Sequence, residues 1–458
     1  MRSRKLLVLL GVVAAASVVT VFAQGGAQTA QTPPADDPIK TMVAQLDLEK
    51  YKTTLKGLTQ FGDRRQGTKR NRDAADWIAA ELKSYGYANV ERISYNPPVP
   101  TSPCGPSVPE SVVVRPAPRG GGAAAGGATG AAGAAGAARQ GGGGGRGAAA
   151  PSNIAQGGGR YVGNRARTGV NCDPMAQPDE KIRALDSGVW SNAPVDDVYV
   201  TKIGTKYPNE MYIVAAHFDG HGYNEAVNDD GSGTALVMEI ARVFADPRVQ
   251  TERTIRFALW NGEETGLNGA KAYVEQRQAL QGIESPKGSG KYPEPKWVAM
   301  IQHDMMMWDH GMPVAQMGPD GKPVLDANGR GVFAVAKDQR LEADVNVEFQ
   351  VASKFPDESM KLAFQFKYAG EKYATDYPVN VGPHMTNTDS GAFQDIVPSI
   401  SLRENERGAQ TGAGWNPTWH TPLDVWSTFS DKDFRLGLNA AQTTLSAVAQ
   451  LSGATVKK

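Results

Sequence analysis

Five short clusters in this chain carry side chains that can bind a metal ion or move a proton. They are His217-Phe218-Asp219, Asn228-Asp229-Asp230-Gly231-Ser232-Gly233, Asn261-Gly262-Glu263-Glu264, Gln302-His303-Asp304 and Trp419-His420-Thr421-Pro422. Each alone has an ordinary explanation. A strand-end Asp caps a helix or forms a turn, an Asp-Asp-Gly-Ser-Gly run is a turn or a calcium loop, and a lone His packs as a structural residue. Together they offer two histidines and three carboxylates as donors, which packing does not explain, because buried carboxylates are costly unless paired or metal-bound. Imidazole with carboxylate suits zinc. Five donors are one too many for a single tetrahedral ion. They fit two ions sharing a bridging carboxylate, an arrangement used for hydrolysis.

The elements that must position these clusters are legible in the periodicity. Asp73 to Tyr85 places Ala74, Trp77, Ile78 and Leu82 on one helical face, with Gly86 as a C-cap. Val90 to Ser94 alternates as a strand. From residue 197 strands alternate with helices. Val198–Ile203 and Met211–Ala216 read as a hairpin across Tyr207-Pro208-Asn209-Glu210. Gly233 to Phe244 reads as a helix, as does Phe434 to Leu451. Thr254–Trp260, Trp297–Ile301 and Val397–Leu402 read as strands, the second apolar enough to be covered on both faces. The expected fold class is α/β, a three-layer α/β/α sandwich around a central mixed β-sheet. Open sheets of this kind bind ligands beyond the carboxyl ends of their strands, where these clusters fall.

In this order the clusters resemble the secreted co-catalytic di-zinc aminopeptidases, whose family also holds glutamate carboxypeptidases. The resemblance rests on Ala216-His217-Phe218-Asp219, Asn228-Asp229 with Ser232-Gly233, Gly262-Glu263-Glu264-Thr265-Gly266-Leu267-Asn268-Gly269, Asp304-Met305 and His420-Thr421-Pro422-Leu423-Asp424. It covers roughly 38–96 and 195–451, and Asn261 replaces a glycine at the start of the third motif. It implies the phosphorylase/hydrolase-like version of the sandwich and a cofactor of two zinc ions. Asp229 would bridge them, with His217 and Asp304 completing one site and Glu264 and His420 the other. Glu263 would be the general base, Asp219 would hold the second nitrogen of His217, and Asp229-Asp230 would be a cis peptide. The reaction implied is hydrolysis of a peptide substrate.

Departures from the family bear on specificity. Trp419 stands where many members have Tyr, and Thr388-Asp389-Ser390 where many have Ser-Asp-His. His221, His303, His310 and His384 receive no role; His221 reads as a surface or structural residue. Aminopeptidase activity is the preferred reading. A carboxypeptidase would need an arginine pocket, for which Arg403 and Arg407 are candidates. A one-zinc glutaminyl cyclase and a non-catalytic scaffold are the further alternatives.

Composition frames the rest. The 458 residues carry 48 Lys+Arg against 48 Asp+Glu, so nothing favours nucleic acid or anionic lipid as a partner. Arg2, Arg4 and Lys5 precede an apolar run from Leu6 to Phe22 that ends at Ala23, the pattern of a signal peptide over 1–23. This implies a secreted or periplasmic protein without stable membrane insertion after cleavage, and a mature balance of 45 against 48. Residues 24–37 read as a disordered leader, and 38–456 as a single zinc-peptidase domain. It is interrupted at about 119–160 by a Gly/Ala-rich loop; 17 of the 52 glycines fall between 120 and 159. Cys104 and Cys172 flank that loop. A disulfide between them would stabilise the fold by about 4 kcal/mol in the chain-entropy model. A hairpin is expected at Gly318-Pro319-Asp320-Gly321.

Overall fold

Eight segments of alternating or continuous apolar character assemble into one sheet. A computed structural model describes residues 37–100, 160–162, 165–167, 170–309, 313–325, 333–335, 343–383, 388–405, 416 and 418–457. The strands of the main sheet are β1 (Glu91–Tyr95), β2 (Val195–Lys202), β3 (Tyr207–His217), β4 (Arg253–Trp260), β5 (Lys296–His303), β6 (Val345–Phe349), β7 (Val379–Gly382) and β8 (Ser399–Glu404). Their spatial order is β1-β2-β4-β3-β5-β8-β6-β7. The central pairs β4–β3, β3–β5 and β5–β8 are parallel, while β1–β2, β2–β4 and β8–β6 are antiparallel. The sheet is therefore mixed, as the sequence implied.

Period-two alternation divides the strands between two cores. Tyr212, Val214 and Ala216 of β3, with Phe257 and Leu259 of β4, face the larger one. That core is closed by Leu48–Thr59, Lys69–Ser84, Gly233–Phe244, Pro356–Tyr373 and Asp431–Ser452. Met211, Ile213 and Ala215, with Ala258 and Trp260, face the smaller core under Asn268–Arg277 and Phe393. Helices on both faces make the three layers. Among the described residues no helix is long and apolar enough to cross a membrane.

Helix ends follow local chemistry. Thr68 accepts from Asn71 N and starts the helix at Lys69, before the apolar stripe begins; Gly86 follows its end with φ +105°. Ser430 and Asp433 form a capping box, and Gly453 ends that helix in the left-handed region. The hairpin turn at 318–321 is present, with Gly318 N bonded to Lys322 O at 2.8 Å. Cys172 is disulfide-bonded, while Cys104 lies outside the described residues. The signal-peptide segment, the leader up to residue 36, residues 119–159 of the Gly/Ala loop, His310, His384 and Arg407 also lie outside them.

One expectation is corrected. β2 and β3 do not form a hairpin, because β4 lies between them, antiparallel to β2 and parallel to β3. Residues 207–210 belong to β3, and the chain turns over 203–206. Every residue from Thr254 to Trp260 is buried, so β4 requires partners on both edges for its backbone groups. The connecting turn is fastened to the residues entering β4: Thr205 N donates to Thr251 O at 2.8 Å, and Tyr207 N to Glu252 O at 2.7 Å.

The parallel register aligns the strand ends. Ala216 lies opposite Leu259 and His303, and His303 lies opposite Leu402. The loops after β3, β4 and β5 thus emerge side by side. Arg64, fully buried, holds the first of these loops. Its guanidinium donates to the carbonyls of Phe218 at 2.6 Å, Gly62 at 3.0 Å, Glu225 at 2.8 Å and Ala226 at 2.8 Å. Methionine at this position would fill similar space but leave these buried carbonyls unpaired. Arg64→Met should therefore lower unfolding free energy by about 3 kcal/mol or more, at roughly 1–3 kcal/mol per orphaned group. Urea denaturation followed by circular dichroism measures this, and an unchanged midpoint would contradict the assigned role.

Candidate metal centre

His217 ends β3, Asp304 follows β5, and Asp229 lies in the turn before the helix at Gly233. These three bring ligand atoms within 4.8 Å of one another, as do His221, Glu264 and His420. Asp229 faces both groups. Its Oδ1 is 3.5 Å from His217 Nε2, and its Oδ2 is 3.0 Å from His420 Nε2. His420 Nε2 is also 2.8 Å from Glu264 Oε2, and Asp304 Oδ1 is 3.9 Å from His217 Nε2. All five residues read from the sequence as donors therefore converge.

The turn that carries Asp229 is held from several sides. The Asp229–Asp230 peptide is cis. Asp424 accepts from Asn228 N at 2.8 Å and Asp229 N at 3.0 Å. Asp230 accepts from His217 N at 3.2 Å, Gly233 N at 2.9 Å and Met305 N at 3.1 Å, so it ties three loops together. Asn228 Oδ1 accepts from Met307 N at 2.8 Å, while its amide group donates to Glu404. Asp304 presents one oxygen to the cluster and the other to Arg403, 2.5 Å away.

Asp219 touches both His217 and the Glu263 turn. His217 Nδ1 lies 3.1 Å from the Asp219 carbonyl and 3.6 Å from its carboxylate, which accepts from Glu263 N at 3.0 Å. The carbonyl, rather than the carboxylate, thus orients the imidazole. Asn261 forms a reciprocal amide pair with Asn71, at 2.9 and 3.0 Å, and donates its own N–H to Asp197. This pins the start of the Glu263-Glu264 turn to the helix at Lys69–Ser84.

The donor set has the chemistry of a cation site. His217 Nε2, His221 Nε2 and Glu264 Oε1 are buried without a hydrogen-bond partner, although carboxylates and imidazoles surround them. Burial alone would lower the His420 pKa, but Glu264 and Asp229 outweigh it and raise it to about 10. His217 also rises well above its usual range, burial opposing and Glu263, Asp219, Asp229 and Asp304 favouring the charged form. Burial pushes Asp229 up, yet the two histidines hold it well below the usual carboxylate range. Burial raises Glu263 far above the ordinary range, with Glu264 and Asp304 adding to the shift.

His221 and Arg403 stand elsewhere than the sequence alone implies. His221, which reads from the sequence as a surface or structural residue, lies 3.0 Å from Glu264 Oε2, with its ring edge-on to His420 at 4.2 Å. The available signal was a histidine flanked by Gly220 and Gly222 in the loop that follows the first motif. Arg403, considered as a substrate anchor, is buried against Asp304. His303 bonds the Ala215 carbonyl through Nδ1 and the Thr444 hydroxyl through Nε2. Burial takes its pKa down to about 4, so it is a neutral histidine beneath the site.

A mixed-sheet α/β/α sandwich with two imidazole–carboxylate clusters sharing an aspartate at its parallel strand ends defines a class, the metal-dependent hydrolases. Residues 198–436 match the model of peptidase family M28, and the chain belongs to that family, which makes it a metallo-exopeptidase by family. It is similar to carboxypeptidase Q of Xenopus laevis, 37% identical over 87 residues, which is 18% of this chain and 19% of that protein. It is also similar to aminopeptidase YwaD of Bacillus subtilis (strain 168), 40% identical over 70 residues, or 15% of each chain. The matched stretches span about a fifth or less of these relatives' length. The fold is shared with the zinc aminopeptidase BSAP from Bacillus subtilis. There the TM-score is 0.51 at 14% identity, covering 90% of this chain and 96% of that one.

The raised histidine pKa values determine how the metal-free site responds to pH. The stabilisation from His420 is complete below its unfolded value of about 6.5. It is lost as pH rises through about 10. A metal ion must displace these protons, so zinc affinity should rise between pH 6 and 8, with about one or more protons released per chain at neutral pH. Calorimetric titration of metal-free protein in two buffers of different ionisation enthalpy measures the release; none would contradict the charge state assigned to the site.

Proposed function

We propose that this protein is an exported aminopeptidase that carries two zinc ions and removes N-terminal residues from peptides. The observation that carries the reading is the Asp229 carboxylate, whose two oxygens face different histidines, His217 and His420, in two separate clusters. His217 and Asp304 would hold one ion, Glu264 and His420 the other, and Asp229 both. When bound, the zinc pair supplies Lewis acidity, polarising the scissile carbonyl and lowering the pKa of the attacking water.

The remaining chemistry belongs to the chain. Glu263 takes a proton from the attacking water and delivers it to the leaving amine. A buried carboxyl with a raised pKa is suited to both halves of that transfer. The Glu263 amide is fixed by Asp219, and its carbonyl accepts from Gly266 N and Leu267 N, so the turn holds the base in place. Arg403 pairs with Asp304 and orients it. Because Arg403 already pairs with Asp304, it is not free to anchor a substrate carboxylate, which supports the aminopeptidase reading. The N-terminal pattern over 1–23 supports export, which a mature N-terminus near Gln24 would confirm.

Glu263→Gln should lower kcat by about 10²- to 10⁴-fold while zinc content stays unchanged. Full activity in this variant would refute the assigned base. Incubating one unblocked peptide and weighing the products shows which end shortens. Loss from the C-terminal end would establish the carboxypeptidase reading, which the similarity to carboxypeptidase Q favours. One zinc per fully loaded, active chain would instead indicate a single-ion enzyme of the cyclase type.

A further inference from the structure

The two halves of the centre are unequal. Beside His217, the described donors are Asp229 Oδ1 and Asp304 Oδ1. Beside His420 stand Asp229 Oδ2, Glu264 Oε2 and, in addition, His221. We propose that His221 is a metal ligand, giving the His420 side four protein donors against three on the His217 side. This deepens the two-zinc reading and rests on it.

The geometry carries the assignment. His221 Nε2 is buried and 3.0 Å from Glu264 Oε2, and Glu264 Oε1 is buried without a partner in a side chain only 5% exposed. Two imidazole nitrogens, His221 Nε2 and His420 Nε2, therefore converge on one carboxylate oxygen, at 3.0 and 2.8 Å. Separations near 3 Å suit donors that surround a shared ion at about 2 Å.

The backbone supports the ring in this position. Asn224 Nδ2 donates to the carbonyls of His221 at 3.0 Å and Thr421 at 2.8 Å, joining the two histidine-bearing turns. Asn171 joins them again, its N–H bonding the His420 carbonyl at 2.9 Å and its side chain the Gly222 carbonyl at 3.2 Å. Gly222 has φ +121°, and a Cβ there would lie 2.6 Å from the His420 carbonyl oxygen, so only glycine lets the turns close to this distance. His221 is thus fixed relative to His420 by contacts that do not involve a metal.

Four protein donors close a tetrahedral site, whereas three leave a position for water or substrate. The ion on the His420 side is therefore the tightly held one, and exchange and substrate approach belong to the His217 side. The test compares full-length wild type with His221→Ala and His221→Asn, titrating metal-free protein with zinc against a chromophoric chelator. Wild type should bind two equivalents of unequal affinity, and both variants should weaken the tighter step by about 100-fold or more, the scale on which removing even supporting groups acts being 10- to 100-fold. Unchanged affinities would overturn the assignment. Zinc-edge X-ray absorption on the wild type gives an independent reading that needs no variant. It should count three imidazoles over two ions, and a count of two would likewise overturn it. Wild type binding a single equivalent would refute the two-zinc reading instead, and the variants would then still decide whether His221 holds that ion.

Discussion

The structure is organised around the burial of one carboxylate, Asp229, between two imidazoles. A buried carboxylate is tolerated only with compensating charge or hydrogen bonds. Asp229 has His217 on one oxygen and His420 on the other, and these hold it ionised against the effect of burial. Its backbone is gripped by Asp424, and its neighbour Asp230 receives N–H groups from the loops of His217, Gly233 and Met305. Moving this turn would break contacts to three separate strand ends at once. The parallel register, which sets Ala216 beside Leu259 and His303, is what allows one turn to reach them all.

The same burial gathers several carboxyl groups and opposes their ionisation. Asp230 and Glu404 are pushed well above the ordinary carboxylate range by burial, Asp424 is raised to about 7 and Asp389 to about 8. The nearby cations are few. Arg403 answers Asp304, and Arg64 lies close enough to Asp424 to act on it while bonding four carbonyls. A site with this surplus of carboxylate is matched to multivalent cations. The backbone N–H groups that carboxylates accept here fix ligand orientation before any ion arrives, as a rigid metal site requires.

Much of this was legible in the sequence because the donors fall in ordered motifs at strand ends. His217, Asp229, Glu264, Asp304 and His420 all meet, and the apolar run over 297–301 reads as a strand covered on both faces, as it is in the sheet. What was not legible depends on partners distant in the chain. Proximity in sequence suggests a hairpin between β2 and β3, whereas the buried Thr254–Trp260 strand takes both as its neighbours. His221 could not be assigned because its position depends on Asn171 and Asn224 drawing its turn against Thr421 and His420. Arg403 looked available for substrate because nothing local to β8 indicates that Asp304, on the adjacent strand's extension, lies against it.

The division of labour proposed for the adjacent residues Glu263 and Glu264 rests on their surroundings rather than on their order. Burial opposes the charge on both. Around Glu264, His221 and His420 outweigh burial and the neighbouring Asp229, and its pKa falls below the ordinary value. Around Glu263, His217 is outweighed by burial together with Glu264 and Asp304, and its pKa rises. Two carboxyls of one type, one residue apart, are thus driven in opposite directions. The one kept ionised is fit to hold a cation, and the one that readily takes a proton is fit to transfer it. Separated environments of this kind are how a single fold obtains a ligand and a base from the same side chain. Exchanging their roles would require moving two histidines and an aspartate held by three different loops.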